Sequence, residues 1–190
     1  MKKPKLIIIE GAIASYKSTV TRALRENLPS TVLISLSGLP KGKDNANSCY
    51  RTHSSVLNMI EDTWFSGMNY VLDRSHISNQ VYSRLGLKDY DFEAEGKTLT
   101  CIWRRIAKRY DIYYISLSCS NNEEAVARLG QRHKHEYVSH NLEMVKSQRA
   151  VYHEIFDEIK INNFLNATEI DTSSKTSQEV LEEILDILEG

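Results

Sequence analysis

Lys17 and Ser18 stand at the end of a loop, Gly11-Ala12-Ile13-Ala14-Ser15-Tyr16, that follows the apolar run Ile7-Ile8-Ile9 and precedes a helical pattern reaching Leu28. A lysine and a hydroxyl at the seam between a buried strand and a helix are suited to holding phosphate. The loop's backbone N–H groups and the positive end of the helix dipole converge on one spot. Lys17 would reach the β- and γ-phosphates of a nucleotide, and Ser18, followed by Thr19, would present its hydroxyl to Mg²⁺. Residues Gly11 to Thr19 are therefore the candidate nucleotide-binding loop. Its spacing, Gly-x-x-x-x-x-Lys-Ser, lacks the glycine usual directly before the lysine. Tyr16 takes that place and removes backbone freedom from a tight turn. A strand–turn–helix that carries a lysine by chance is the alternative reading.

A second group with chemistry is Asp73-Arg74, which closes the short apolar run Tyr70-Val71-Leu72. In a doubly wound sheet the carboxyl end of a strand is the rim where ligands bind. An acid there can hold Mg²⁺ through water or accept a proton, and an adjacent arginine can fork onto a phosphate. A strand-terminal ion pair is the structural alternative. Farther on, Arg128 and Arg132 lie four residues apart in a basic stretch and so share one helical face, which could equally be a solvated surface. His133, His135 and Glu136 do not fall on a single face and no cysteine joins them, so zinc is not expected.

These residues need a scaffold, and the hydrophobic pattern supplies one. Strands are predicted at 5–10, 31–36, 70–73, 112–118 and 167–171. Helical patterns occupy about 17–28, 50–66, 76–86, 97–109, 122–135, 140–160 and 176–189. Alternating strands and helices imply an α/β fold: a five-stranded parallel sheet covered by helices on both faces. The near-continuous apolar runs at 6–9 and 112–115 fit strands buried on both sides. Residues 37–48, rich in Gly, Asn, Lys and Ser, read as a loop, and the closing helix carries a broad apolar face for the core. Tyr50 and Arg51 are expected to open the helix over an acceptor pocket. The rings of Trp64, Phe65 and Trp103 could stack on a base, with packing beneath the sheet as the competing reading.

Composition sets limits. The 190 residues, 41% hydrophobic, suit one domain with a lid at about 122–140. The 24 Lys and Arg nearly balance 25 Asp and Glu, so a long polyanion would have to bind through a local patch. Cys49, Cys101 and Cys119 are odd in number and widely spaced, which fits reduced thiols in a cytoplasmic protein. The apolar run after Met1-Lys2-Lys3 is too short for a signal peptide or a membrane span, so the expected protein is soluble with no membrane partner.

The pattern Asp73-Arg74-x-x-x-Ser78-x-x-x-Tyr82 resembles the Asp-Arg motif of thymidylate kinases and the acidic-Arg-Ser motif of deoxynucleoside kinases. With the loop at 11–19, the chain resembles a divergent P-loop nucleotide kinase along most of its length. The resemblance implies the P-loop kinase fold with a helical lid, and ATP and Mg²⁺ as cofactors. It implies Ser18 and Asp73 at the metal, Lys17, Asp73, Arg74, Arg128 and Arg132 as catalytic residues, and Asp171 within an adenine-side segment that runs to Lys175. Two departures bear on the substrate. Ala14 and Tyr16 replace glycines, and the segment SGLPKGK does not reproduce the thymidylate-kinase loop that holds the nucleoside monophosphate. The acid that deoxynucleoside kinases carry just after the second strand is also missing, since Ser35 to Gly38 hold no carboxylate. A deoxynucleoside monophosphate is the first acceptor expected. A hydroxyl on a nucleoside, or on a hydroxymethylated base in DNA, is the second. A nucleotide-binding protein without turnover is the third. A homodimer is compatible with all three.

Overall fold

The computed structural model describes residues 3–36, 44–130 and 142–189. Five strands, β1 (Lys5–Gly11), β2 (Thr31–Ser35), β3 (Asn69–Asp73), β4 (Asp111–Ser118) and β5 (Asn166–Asp171), form one parallel sheet in the order β2-β3-β1-β4-β5. The helices are α1 (Lys17–Asn27), α2 (Ala46–Asp62), α3 (His76–Arg84), α4 (Glu93–Ile106), α5 (Asn122–Gly130), α6 (Leu142–Lys160) and α7 (Ser177–Glu189), with one 3₁₀ turn at Trp64–Ser66.

The side-chain period of a strand explains the continuous apolar runs. Along β1, Leu6 and Ile8 enter one core with residues of α2, α3, α4 and α6, whereas Ile7 and Ile9 enter another with residues of α1 and α7. β4 divides in the same way, Ile112 and Tyr114 to the first core and Ile115 and Leu117 to the second. A central parallel strand therefore needs apolar residues at every position. The chain leaves β1 toward the β2 edge of the sheet and leaves β4 toward the β5 edge, so the loops that follow these neighbouring strands diverge and open a crevice at their carboxyl ends.

Helix starts differ from the sequence reading where a cap decides. α2 begins at Ala46, because the Asn45 side chain accepts a hydrogen bond from Ser48 N, so Tyr50 and Arg51 lie one turn inside the helix. α4 begins at Glu93 with an uncapped N-cap, Phe92; the preceding Asp91 carboxylate accepts from Glu93 N at 3.0 Å. Trp103 is fully buried in the larger core. Trp64 and Phe65 do not pack beneath the sheet: they stand on the 3₁₀ turn after α2, 44% and 75% exposed. No helix among the described residues is long and apolar enough to cross a membrane.

Candidate active site

β1 delivers Gly11 into the divergence of the sheet with φ 134°, and only glycine fits there. A Cβ on Gly11 would lie 1.9 Å from the carbonyl oxygen of Leu117 on the neighbouring strand. Downstream the chain makes two left-handed turns without glycine, at Ala14 (φ 65°) and Tyr16 (φ 63°). Each costs an L-residue about 1 kcal/mol of local strain. Contacts from other parts of the chain hold this shape. Ile13 N donates to the Gln148 side chain of α6 at 3.1 Å, and Ala14 O accepts from Arg128 Nη1 of α5 at 3.0 Å. Within the loop, Ser15 Oγ donates to Ala12 O at 2.7 Å, and the buried Lys17 Nζ donates to Ala12 O at 2.5 Å and Ser15 Oγ at 3.3 Å. Tyr16 gives α1 no side-chain cap, so a ligand can serve the helix N-terminus, and the Ser18 side chain there is exposed.

β3 delivers Asp73 and Arg74 beside this loop. Asp73 pairs in register with Ile9 of β1, and Arg74 N donates to Ile9 O at 3.1 Å, two residues before Gly11. The Asp73 carboxylate is buried. Oδ2 accepts a long hydrogen bond from Ser35 Oγ at 3.5 Å, and Oδ1 has no hydrogen-bond partner among the described residues. A buried carboxylate oxygen without a donor fits a hydrated cation or a substrate proton. Arg74 adopts φ 75°, and its Nη1 donates to Tyr82 Oη at 3.1 Å and Ser78 Oγ at 3.4 Å. Burial works against the guanidinium charge, but Tyr82, Tyr152 and Glu10 outweigh it and raise its pKa.

Glu10 is the residue that sequence reasoning missed. It is completely buried at the end of β1, and its carboxylate accepts from Ser75 N at 2.5 Å, Ser75 Oγ at 2.9 Å, Ser78 N at 3.3 Å, Ser78 Oγ at 2.8 Å and Tyr152 Oη at 3.2 Å. It ties the β3–α3 turn and the first turn of α3 to β1, and the Arg74 guanidinium bonds the same Ser78. The signal was present in the sequence: an acid directly after three isoleucines and directly before the loop glycine has no solvent to face.

The remaining candidates fall on the β4–β5 side. Arg128 is buried. Nη1 donates to Ala14 O and to Thr172 Oγ1 at 2.8 Å, and Nη2 donates to Thr172 O at 2.7 Å and pairs with Glu124. Its guanidinium lies 3.8 Å from the centroid of the Tyr16 ring. Asp171 ends β5, exposed, and accepts from the backbone N–H and hydroxyl groups of Ser120 and Ser173. Partial burial opposes its charge, but those bonds win and hold the carboxyl down at about 2. Arg132, His133, His135 and Glu136 lie outside the described residues. Lys17, Ser18, Asp73 and Arg74 thus gather at one end of the sheet with the loop, and Arg128 joins them through the loop's outer side.

No protein-family model matches the sequence, nor does any curated protein. Solved structures do match, over nearly the whole chain. The YorR protein from Bacillus subtilis, in complex with phosphorylated GDP, superposes with a TM-score of 0.70 at 21% identity, covering 97% of this chain and 96% of that one. Thymidylate kinase from Candida albicans gives 0.69 at 18% identity, with 98% and 92% covered. Deoxyadenosine kinase from M. mycoides, with dCMP and dCDP bound, gives 0.59 at 14% identity, with 97% and 98% covered. At such identities the likeness is one of architecture, and with the sheet order, the loop after β1 and the Asp-Arg turn after β3 it gives the chain the fold of the P-loop nucleotide and deoxynucleoside kinases.

Proposed function

We propose that this chain is an ATP-dependent phosphotransferase that moves the γ-phosphoryl group to a nucleotide-type acceptor, first of all a deoxynucleoside monophosphate. One observation carries the reading. The lysine-bearing loop after β1 and the Asp73-Arg74 turn after β3 adjoin, joined by the Arg74 N to Ile9 O bond and by the Glu10 network. A donor site and an acceptor site would then share one rim, as phosphoryl transfer in line requires.

In this reading Lys17 exchanges its bonds to Ala12 O and Ser15 Oγ for phosphate oxygens, and the amides at the start of α1 bind the same group. The Ser18 hydroxyl and Asp73 Oδ1, which has no partner among the described residues, fit Mg²⁺, which when bound neutralises charge on the phosphates. Arg74, aimed by Tyr82 and Ser78, orients an acceptor phosphate. A phosphate oxygen is already an anionic nucleophile, so this acceptor needs no general base. The second reading, transfer to a hydroxyl, is favoured by the same Asp73 Oδ1, which is free among the described residues to take a proton. The substrate named for thymidylate kinase supports the first reading by analogy of fold, and the one named for deoxyadenosine kinase supports the second.

The test is transfer of labelled γ-phosphate from ATP with Mg²⁺ to deoxynucleosides, their monophosphates and hydroxymethyluracil-containing DNA. Label on a monophosphate is expected. Label only on a nucleoside or on the modified DNA selects the hydroxyl reading. ATP binding with no transfer to any acceptor would leave a nucleotide-binding protein without turnover.

A further inference from the structure

Two of the loop's left-handed residues are not glycines, and one arginine touches both. Arg128 Nη1 holds the carbonyl oxygen of Ala14 at 3.0 Å, and the guanidinium carbon lies over the Tyr16 ring, 3.8 Å from its centroid. The same guanidinium is anchored from behind. It bonds Thr172 through Oγ1 and O and pairs with Glu124, whose other oxygen accepts from Ser174 N at 2.8 Å. Thr172 is fully buried and is itself fixed to Ser118 O, through its backbone N–H at 2.7 Å and its hydroxyl at 2.8 Å. The chain of contacts therefore runs from the end of β4 through the β5–α7 turn and α5 into the loop. A guanidinium over a tyrosine face is attractive in itself, and more so away from water. Its planar fork grips two carbonyls where an ammonium would not.

We propose that Arg128 and Tyr16 form a side-chain lock that holds Ala14 and Tyr16 in their left-handed conformations, and that Arg128 is a positioning residue for the phosphate loop and does not touch the transferred phosphoryl group. Glycine at positions 14 and 16 would adopt this backbone without help. Here alanine and tyrosine adopt it because the carbonyl of one and the ring of the other are clamped. The proposal rests on the reading of the loop as a phosphate site, and it assigns Tyr16 a use: the residue that strains the turn also supplies the surface by which the turn is held.

The experiment is a double-mutant cycle on the full chain with Arg128→Met and Tyr16→Gly, and Arg128→Lys as the conservative variant. The readouts are the ATP dissociation constant, KM and kcat for transfer, and hydrogen exchange of the amides at residues 14–17. In the Tyr16 protein, Arg128→Met should weaken ATP binding roughly 10-fold, with the loss falling on KM and not on kcat, and should speed loop exchange. In the Tyr16→Gly protein the same change should weaken binding by about 3-fold or less, since no ring remains to stack and glycine needs no clamp. Lysine should fail to rescue, because it has neither plane nor fork. A fall in kcat of roughly 100-fold that is equal in both backgrounds and partly restored by lysine would mark a phosphoryl-contacting charge and overturn the lock. If the wild-type chain bound no ATP, the nucleotide-site reading would fail by itself. The lock would then stand or fall on exchange, and unchanged exchange in Arg128→Met would refute it.

Discussion

On the loop side of the rim, residues 11–17 keep their shape through groups that arrive from far along the chain: Gln148 on Ile13 N, Arg128 on Ala14 O and Tyr16, and the close pass of Gly11 against Leu117. On the Asp-Arg side, one buried carboxylate collects two backbone N–H groups and three hydroxyls, and Arg74 bonds within the same cluster. The first arrangement holds a strained backbone from outside and leaves its helix N-terminus open. The second is a closed polar network that fixes side chains from within. A loop that receives phosphate needs N–H groups to spare, so beyond the Ile13 N–H spent on Gln148 its order comes from its carbonyls and side chains. A turn that only aims an arginine can spend its own amides on an internal acid.

The two sides should therefore fail differently. The largest effect is expected at Lys17. Lys17→Ala should reduce phosphate transfer by roughly 10³-fold, since it removes the cation at the donor phosphates, while the melting temperature stays close to that of the parent. Steady-state transfer assays beside thermal unfolding check this, and retained turnover would take residues 11–19 out of the site. Next, Glu10→Ala should act on stability first. It leaves the hydroxyls of Ser75, Ser78 and Tyr152 short of an acceptor and removes the negative partner of Arg74, for a loss of about 3 kcal/mol in urea unfolding. A loss below about 1 kcal/mol would mean that Glu10 is not the keystone of that side. Smaller still, Arg74→Ala should raise the KM of the acceptor by about 10-fold, the worth of one charge-assisted contact, and leave the KM of ATP nearly unchanged. Equal changes in both constants would dissolve the distinction between a donor side and an acceptor side.

How much of this was legible in the sequence follows the same division. Local signals, such as the isoleucines of β1, the loop glycine and the Asp-Arg pair at the end of β3, located the strands and the rim because they depend on neighbours in sequence. The sheet order and the two-faced core follow from side-chain alternation once the strands are known. The holding groups were not legible. Gln148 and Tyr152 lie on the long helix α6, where they look like ordinary polar or amphipathic positions, and only the fold brings them 135 and 142 residues back to Ile13 and Glu10. A lid role for Arg128 is only what the family resemblance implies, and its basic stretch by itself reads equally as a solvated helix surface. The contacts of Arg128 with Ala14, Tyr16 and Thr172 depend on three segments that meet only in three dimensions.

A separate effect lies behind the Asp-Arg side and is read in pH. His53 of α2 is buried against α3, where Asn79 Nδ2 donates to its Nε2 at 2.8 Å, a bond that only a neutral imidazole accepts. Burial lowers its pKa from 6.5 to about 4. His76, edge-on to His53 and packed against Trp103, is lowered too, by burial first and then by His53. The unfolded chain binds these protons near the ordinary histidine pKa and the folded chain does not. Their contribution is therefore fully present above pH 6.5 and is lost as the pH falls from there through about 4. For His53 alone the loss at pH 5 is on the order of 2 kcal/mol. Unfolding free energy measured at pH 7.5 and pH 5 should fall by at least that much in the parent and by clearly less in His53→Gln, whose amide cannot be charged. The phosphate loop has no histidine against it among the described residues, so loop-amide exchange corrected for the intrinsic rate should change less between pH 7.5 and 6 than exchange in α2 and α3 around His53. An acid-sensitive loop with an acid-insensitive α2–α3 contact would reverse the comparison.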